Sequence, residues 1–260
     1  MQSIVIAPSQ RHAGLELSTN DDALLGQGRV ALMQPYFLPY LGYFQLIAAS
    51  DCFVLYDNVQ FIKNGWIERN RYLLEGEPKW FGLPLAKGSH SQWINQRQVS
   101  PHFDIDTVIS RLAFAYRKAP HAERTLTWLE ALLKLPAGNI AEFNELALRS
   151  CCSLLRIHTP IVRASEWAPV SHAKGQARVI ETIRAIGGTR YLNPVAGGAM
   201  YDSLEFADAG YALELLEPEL GAYDQLGKPF VPALSILDLL MFNDLETVST
   251  WARRGKVIDG

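Results

Sequence analysis

An α/β fold around a mostly parallel, doubly wound sheet, interrupted by a helical insert, is predicted by three observations on the sequence. Within residues 30–56 a short apolar run, a short helical stretch and a second apolar run follow one another, as in a βαβ unit. Three stretches of helical period, at 103–118, 122–135 and 140–157, occupy the middle of the chain. Strand and helix patterns then alternate again up to residue 216, and such alternation places helices on both faces of a parallel sheet.

Taken in order, residues 1–28 are mixed and without sustained periodicity, so they read as a loosely held extension. No basic segment precedes Ile4-Val5-Ile6 and no long apolar core follows it, so no signal peptide is expected. The run 30–33 (VALM) meets Pro35, as a buried parallel strand ending in a loop would. Residues 42–49 form a short helix and 52–56 (CFVLY) the next strand. Residues 79–85 (KWFGLPL) read as an edge strand, because Pro84 has no amide to donate. Pro120 and 136–138 (PAG) punctuate the three central helices. Later come a strand at 161–164, a helix at 175–186 stopped by Gly187-Gly188, strands at 189–192 and 211–216, and helices at 234–242 and 245–253. One α/β domain thus spans 29–243, with an insert at about 103–157, and a C-terminal helix and tail fill 244–260.

The chain has 260 residues, 48% apolar and 20% charged, with a formal net charge of −3. This lacks the basic footprint that non-specific nucleic-acid binding requires, so no nucleic-acid partner is expected. No apolar run is long enough for a membrane span. Three cysteines, two of them adjacent (Cys151 and Cys152), make no disulfide framework and fit a cytoplasmic protein. The six histidines show no zinc-ligand spacing, and neither zinc, haem nor flavin is expected. Neither a P-loop, a G-x-G-x-x-G nor a G-x-S-x-G elbow is present.

Ligands of open α/β sheets bind outside the carboxyl ends of the strands. The loop after the first strand offers Gln34, Tyr36, Tyr40 and Tyr43 as hydrogen-bonding groups, with Gly42 at a helix start where an anion can approach. The same tyrosines also read as packing residues with a polar tip. Behind the second strand stand Asp57, Asn58, Gln60, Lys63, Trp66, Arg69, Asn70 and Arg71. Asp57 can accept from an amine, while Lys63 and the arginines can hold phosphate or carboxylate. The alternative there is a solvated loop. Lys118 closes a helix, where macrodipole compensation explains a basic residue without any function, the weaker alternative being a ligand contact. Gly197 and Tyr201 lie in 197–202 (GGAMYD), whose glycines admit a phosphate or make a turn. Tyr223 and Gln225 form a polar cluster, and Ser235 is a ligand contact or a helix start.

The runs 33–44 (MQPYFLPYLGYF) and 51–61 (DCFVLYDNVQF), Trp66 with Arg69 and Asn70, and 223–225 (YDQ) with Phe230 and 234–240 (LSILDLL) resemble the WbqC-like protein family over residues 29–243. That resemblance implies a place in bacterial surface-polysaccharide (O-antigen type) biosynthesis and transfer of glycine to a sugar. A more distant likeness is to the nucleotide-binding half of pantothenate synthetase and related adenylate-forming enzymes. Those carry H-x-G-H where Tyr40-Leu41-Gly42-Tyr43 stands here, and Asn-Pro-x-Gln-Phe near 58–61. It implies a nucleotidyltransferase-like Rossmannoid fold and ATP with Mg as cofactor. The implied roles are phosphate contacts from Tyr40, Gly42, Tyr43, Gly197 and Ser235, and acyl contacts from Gln34 and Gln60. Charge stabilisation would come from Lys63, Arg69 or Lys118, and orientation or deprotonation of the amine from Asp57. Tyr36, Asn58, Trp66, Asn70, Tyr201, Tyr223 and Gln225 complete the expected substrate contacts, for an amino acid and a nucleotide- or lipid-linked amino sugar. The rival reading is a non-catalytic nucleotide-sugar-binding or scaffold protein that uses the same pocket.

Overall fold

Strands β1 (Gly28–Met33) and β2 (Cys52–Leu55) are continuous apolar runs because both of their faces are covered. Their side chains alternate between two cores: Ala31, Phe53 and Leu55 enter one, while Val30, Leu32, Cys52 and Val54 enter the other. The computed structural model describes residues 28–260 except 90, 169–171 and 227–228. Residues 1–27 of the expected extension lie outside the described residues.

Helix α1 (Leu41–Ala48) links β1 to β2. A hairpin of β3 (Arg69–Leu74) and β4 (Glu77–Gly82) follows, then the insert, α2 (Ile105–Ala115), α3 (Ala122–Leu133) and α4 (Ile140–Leu154). The chain returns through β5 (Ile161–Arg163), α5 (Ala164–Trp167), α6 (Gly175–Ile186), β6 (Gly188–Pro194), α7 (Ser203–Asp208) and β7 (Ala212–Glu217). It closes with α8 (Ile236–Phe242), α9 (Leu245–Trp251) and β8 (Lys256–Asp259). The main sheet has the order β5-β2-β1-β6-β7-β8, parallel except for β8. Counted within that sheet alone the order is 3-2-1-4-5-6, the doubly wound arrangement expected from the alternation. Helix starts carry the side chains that make them legible: Asp104, Asn139, Asp202, Ser235 and Asp244 each accept from a backbone amide in the first turn. Gly187, at φ 82°, stops α6.

Two strands depart from the sequence reading. β3 was not expected, and β4 pairs with it instead of joining the main sheet. Their turn is Glu75-Gly76, both at positive φ, a two-residue hairpin turn. The tail beyond α9 is a strand, β8, that pairs antiparallel with β7.

Gly82 closes the hairpin where a Cβ would strike the Glu68 carbonyl and stand 2.7 Å from the Arg69 Cα. Both obstacles are backbone and cannot swing aside. Gly82→Ala is therefore expected to destabilise the protein by about 1–3 kcal/mol, read as a lower urea midpoint at unchanged slope. A midpoint at the wild-type value would show that the hairpin slides freely.

Candidate functional site

The strand order reverses between β1 and β6, the switch point at which doubly wound sheets bind ligands. The loop after β1, residues 34–40, contains no glycine, yet Leu38 sits at φ 40°. A buried, non-glycine residue in that conformation must be held by its surroundings. Four side chains do so. Asn70 Nδ2 donates to the carbonyls of Phe37 (3.0 Å) and Leu38 (2.8 Å), and Ser235 Oγ donates to Leu38 (2.7 Å). Asn144 Nδ2 donates to Pro35 and Ile67 (both 2.8 Å), and the Tyr43 hydroxyl donates to Gln34 O (2.7 Å). Asn70, Tyr43 and Ser235, expected to meet ligand, are thus spent on shaping the loop.

That clamp leaves Gln34, Tyr36 and Tyr40 half-buried on the loop's open side. No hydrogen bond engages the hydroxyls of Tyr36 and Tyr40 among the described residues. Burial raises both phenols above their ordinary value, and each neutral hydroxyl remains a donor. The Tyr40 ring lies over Gly42, where a Cβ would stand 2.6 Å from Cε2. Gly42 therefore makes room for an aromatic ring. With Tyr43 buried and Gly42 covered, these residues do not fit a phosphate cradle of the H-x-G-H kind.

At the end of β2, Asp57 is buried and joins three elements. One carboxylate oxygen accepts from the Ser165 amide (3.0 Å), the other from Ser165 Oγ (2.6 Å) and Asn95 Nδ2 (3.3 Å). Asn58 accepts from Arg178 Nη2 through both its backbone and side-chain oxygens, each at 2.9 Å. The Arg178 guanidinium also lies 5.0 Å from the Tyr56 ring centre. Arg178 escaped the sequence reading because nothing local marks it: it arrives from α6, 120 residues away. Beside it, a cavity of about 380 Å³ opens between α5 and α6, lined by Asn58, Ala168, Arg178, Glu181 and Thr182 among others.

From β6, the Tyr191 hydroxyl lies 3.1 Å from both Asn193 Oδ1 and the Tyr201 hydroxyl. Burial pushes the Tyr191 phenol well up, with Tyr201 and Tyr56 adding to the shift. Gly197 seats Asn193, whose Nδ2 would be 2.6 Å from a Cβ there. The carboxyl ends of three adjacent strands thus carry Gln34, Tyr36 and Tyr40 after β1, Tyr56 and Asn58 after β2, and Asn193 and Tyr201 at and after the end of β6.

Other expected residues lie elsewhere. Tyr223 and Gln225 bond to the buried Asp238. Gln60, Lys63 and Lys118 are exposed, and Trp66 and Arg69 belong to the hairpin's outer surface. Among the described residues no cluster of three or more His, Cys, Asp or Glu could hold a metal ion, and no helix is long and apolar enough to cross a membrane.

Fold and strand ends define a doubly wound α/β protein whose switch point is lined by aromatic and amide side chains, with the Arg178 guanidinium held against Asn58 and Tyr56. The chain belongs to the WbqC-like protein family, whose model matches residues 34–250. That match takes in most of α9, which the resemblance left outside. The chain is 29% identical over 216 residues to the uncharacterized protein Rv1507c of Mycobacterium tuberculosis, covering 82% of this chain and 92% of the relative. No solved structure matches.

Proposed function

We propose that this chain is a cytoplasmic protein of surface-polysaccharide biosynthesis that binds a nucleotide- or lipid-linked amino sugar in the switch-point crevice and passes an amino acid such as glycine to its amine. The observation that carries the reading is the set of side chains at these strand ends. Its unengaged hydroxyls are those of Tyr36 and Tyr40, neutral groups that match sugar hydroxyls and are set among aromatic rings, and the Arg178 guanidinium beside Asn58 suits the phosphates of a linked carrier. Family membership supports the polysaccharide context. In the transfer, the sugar nitrogen forms a bond to the acyl carbon of an amino-acid ester or thioester. The acyl–oxygen or acyl–sulfur bond breaks, and the amine proton ends on the leaving atom. ATP with Mg, implied by the distant likeness, has the geometry around Gly42 against it.

One observation favours a second reading, a non-catalytic nucleotide-sugar-binding scaffold. Asp57, the expected base, has both oxygens occupied by Ser165 and Asn95. Calorimetric titration with UDP-glucosamine and with ATP, followed by a glycyl-thioester transfer assay, tests both. UDP-glucosamine is expected to bind, and Tyr36→Phe with Tyr40→Phe to weaken it about tenfold, the worth of one or two neutral hydrogen bonds. Binding without transfer from any activated glycine supports the scaffold. Absence of binding to every nucleotide-linked sugar sinks both readings.

A further inference from the structure

The outer surface of the hairpin carries a ladder that the crevice does not use. The Arg69 guanidinium lies 4.1 Å from the Trp80 ring centre, Trp80 and Trp66 are 5.3 Å apart, and Arg71 lies 5.4 Å from Trp66. Trp66 and Trp80 are 38% and 45% exposed, and Ile62, 60% exposed, projects from the same turn. That turn is tight: Asn64 adopts φ 61°, and a Cβ on Gly65 would stand 3.2 Å from the Ile62 carbonyl. Lys63 is exposed beside Ile62. The acid of the turn, Glu68, is occupied by the Asn64 amide.

We infer that this face docks the protein on an anionic lipid bilayer. Tryptophan edges and an exposed isoleucine suit the interfacial region, and three cations beside them complement lipid phosphates. A glycan would need an open indole face to stack on. Here Arg71 and Trp80 lie against Trp66, and Arg69 and Trp66 lie against Trp80, so both indoles already have ring partners. Each arginine donates from Nη2 to a backbone carbonyl, of Asn64 or Ala233, and its Nε is buried, so Nη1 is the donor left for phosphate. The patch also adjoins the crevice loop, since the Phe37 amide donates to the Trp66 carbonyl (2.8 Å). A lipid-linked acceptor would thereby be presented beside that loop. The inference stands on the hairpin alone and survives failure of the sugar-binding reading, because its test contains no sugar.

Co-sedimentation of the full chain with phosphatidylcholine vesicles, with and without phosphatidylglycerol, tests it. Binding is expected only with phosphatidylglycerol, weakening at high salt, and at least about tenfold weaker for Trp80→Ser and for Ile62→Asp. Ile62 has little packing to lose, so its variant should keep the wild-type melting temperature and separate docking from folding. Failure to bind anionic vesicles would overturn the inference, as would equal binding by the Ile62 variant. Displacement by millimolar inorganic phosphate at matched ionic strength would reduce the patch to an ion site and overturn it too.

Discussion

Asn70→Ala is expected to lower the unfolding free energy by about 2–3 kcal/mol and to free the loop after β1. Asn70 is 2% exposed, and its amide satisfies two buried carbonyls at once, those of Phe37 and Leu38. Leu38 O keeps a second donor in Ser235, so the larger share of the loss falls on Phe37 O. Asn70→Asp should cost more than alanine although it is nearly the same shape. It places a carboxylate against two carbonyl oxygens and leaves nothing to donate unless it is protonated. Urea unfolding measures the loss, and amide exchange over residues 36–40 should speed up with it, because Leu38 no longer has its positive φ enforced. In the crevice, loosening this loop moves Tyr36 and Tyr40, so ligand affinity should fall with stability. An alanine variant within about 0.5 kcal/mol of wild type, with unchanged exchange at 36–40, would remove the clamp from the account of the site.

The clamp also explains which parts of the molecule were legible in the sequence. β1 and β2 announce themselves because a strand covered on both faces must be apolar throughout. α6 does so through its amphipathic period and the glycine stop at Gly187. β3 is opaque because its residues answer to different neighbours. Arg69 and Arg71 lie against tryptophans, while Asn70 between them points inward to two carbonyls, so no apolar alternation survives. The same cause separates the expected site residues. Tyr36 and Tyr40 are read correctly as loop residues at a strand's carboxyl end, but nothing local distinguishes them from Tyr43, whose hydroxyl is used by the loop's own backbone. Polar side chains in an unusual run mark chemistry or scaffold alike, and in this chain Asn70 and Ser235 hold the loop. Arg178 becomes visible only once the sheet brings α6 beside β2.

The buried carboxylate of Asp238 carries the second large effect. It accepts from the hydroxyls of Tyr116 (2.7 Å) and Tyr223 (2.5 Å) and from Gln225 Nε2 (2.9 Å), and Tyr116 in turn accepts from the Leu73 amide (3.0 Å). One residue thus joins the insert, the hairpin and α8. Asp238→Leu strands three buried donors, and a loss of about 3–5 kcal/mol is expected. Asp238→Asn keeps the shape and removes the charge, which isolates the ionisation. Burial raises the Asp238 carboxyl above its ordinary 3.8, against the lowering effect of Tyr223, Tyr116 and Gln225. A carboxyl raised by folding contributes stability that is fully present below its unfolded value and is lost as pH rises through its folded one. The unfolding free energy of wild type minus that of Asp238→Asn should therefore decline as pH rises from about 4, by about 1.4 kcal/mol per unit of elevation. Taking the difference cancels Asp104 and Asp244, exposed helix caps whose lowered values tilt each curve the opposite way, with stability lost as pH falls. A difference that rises with pH instead would mean that the three donors outweigh burial, and that the node is held by a charge rather than in spite of one.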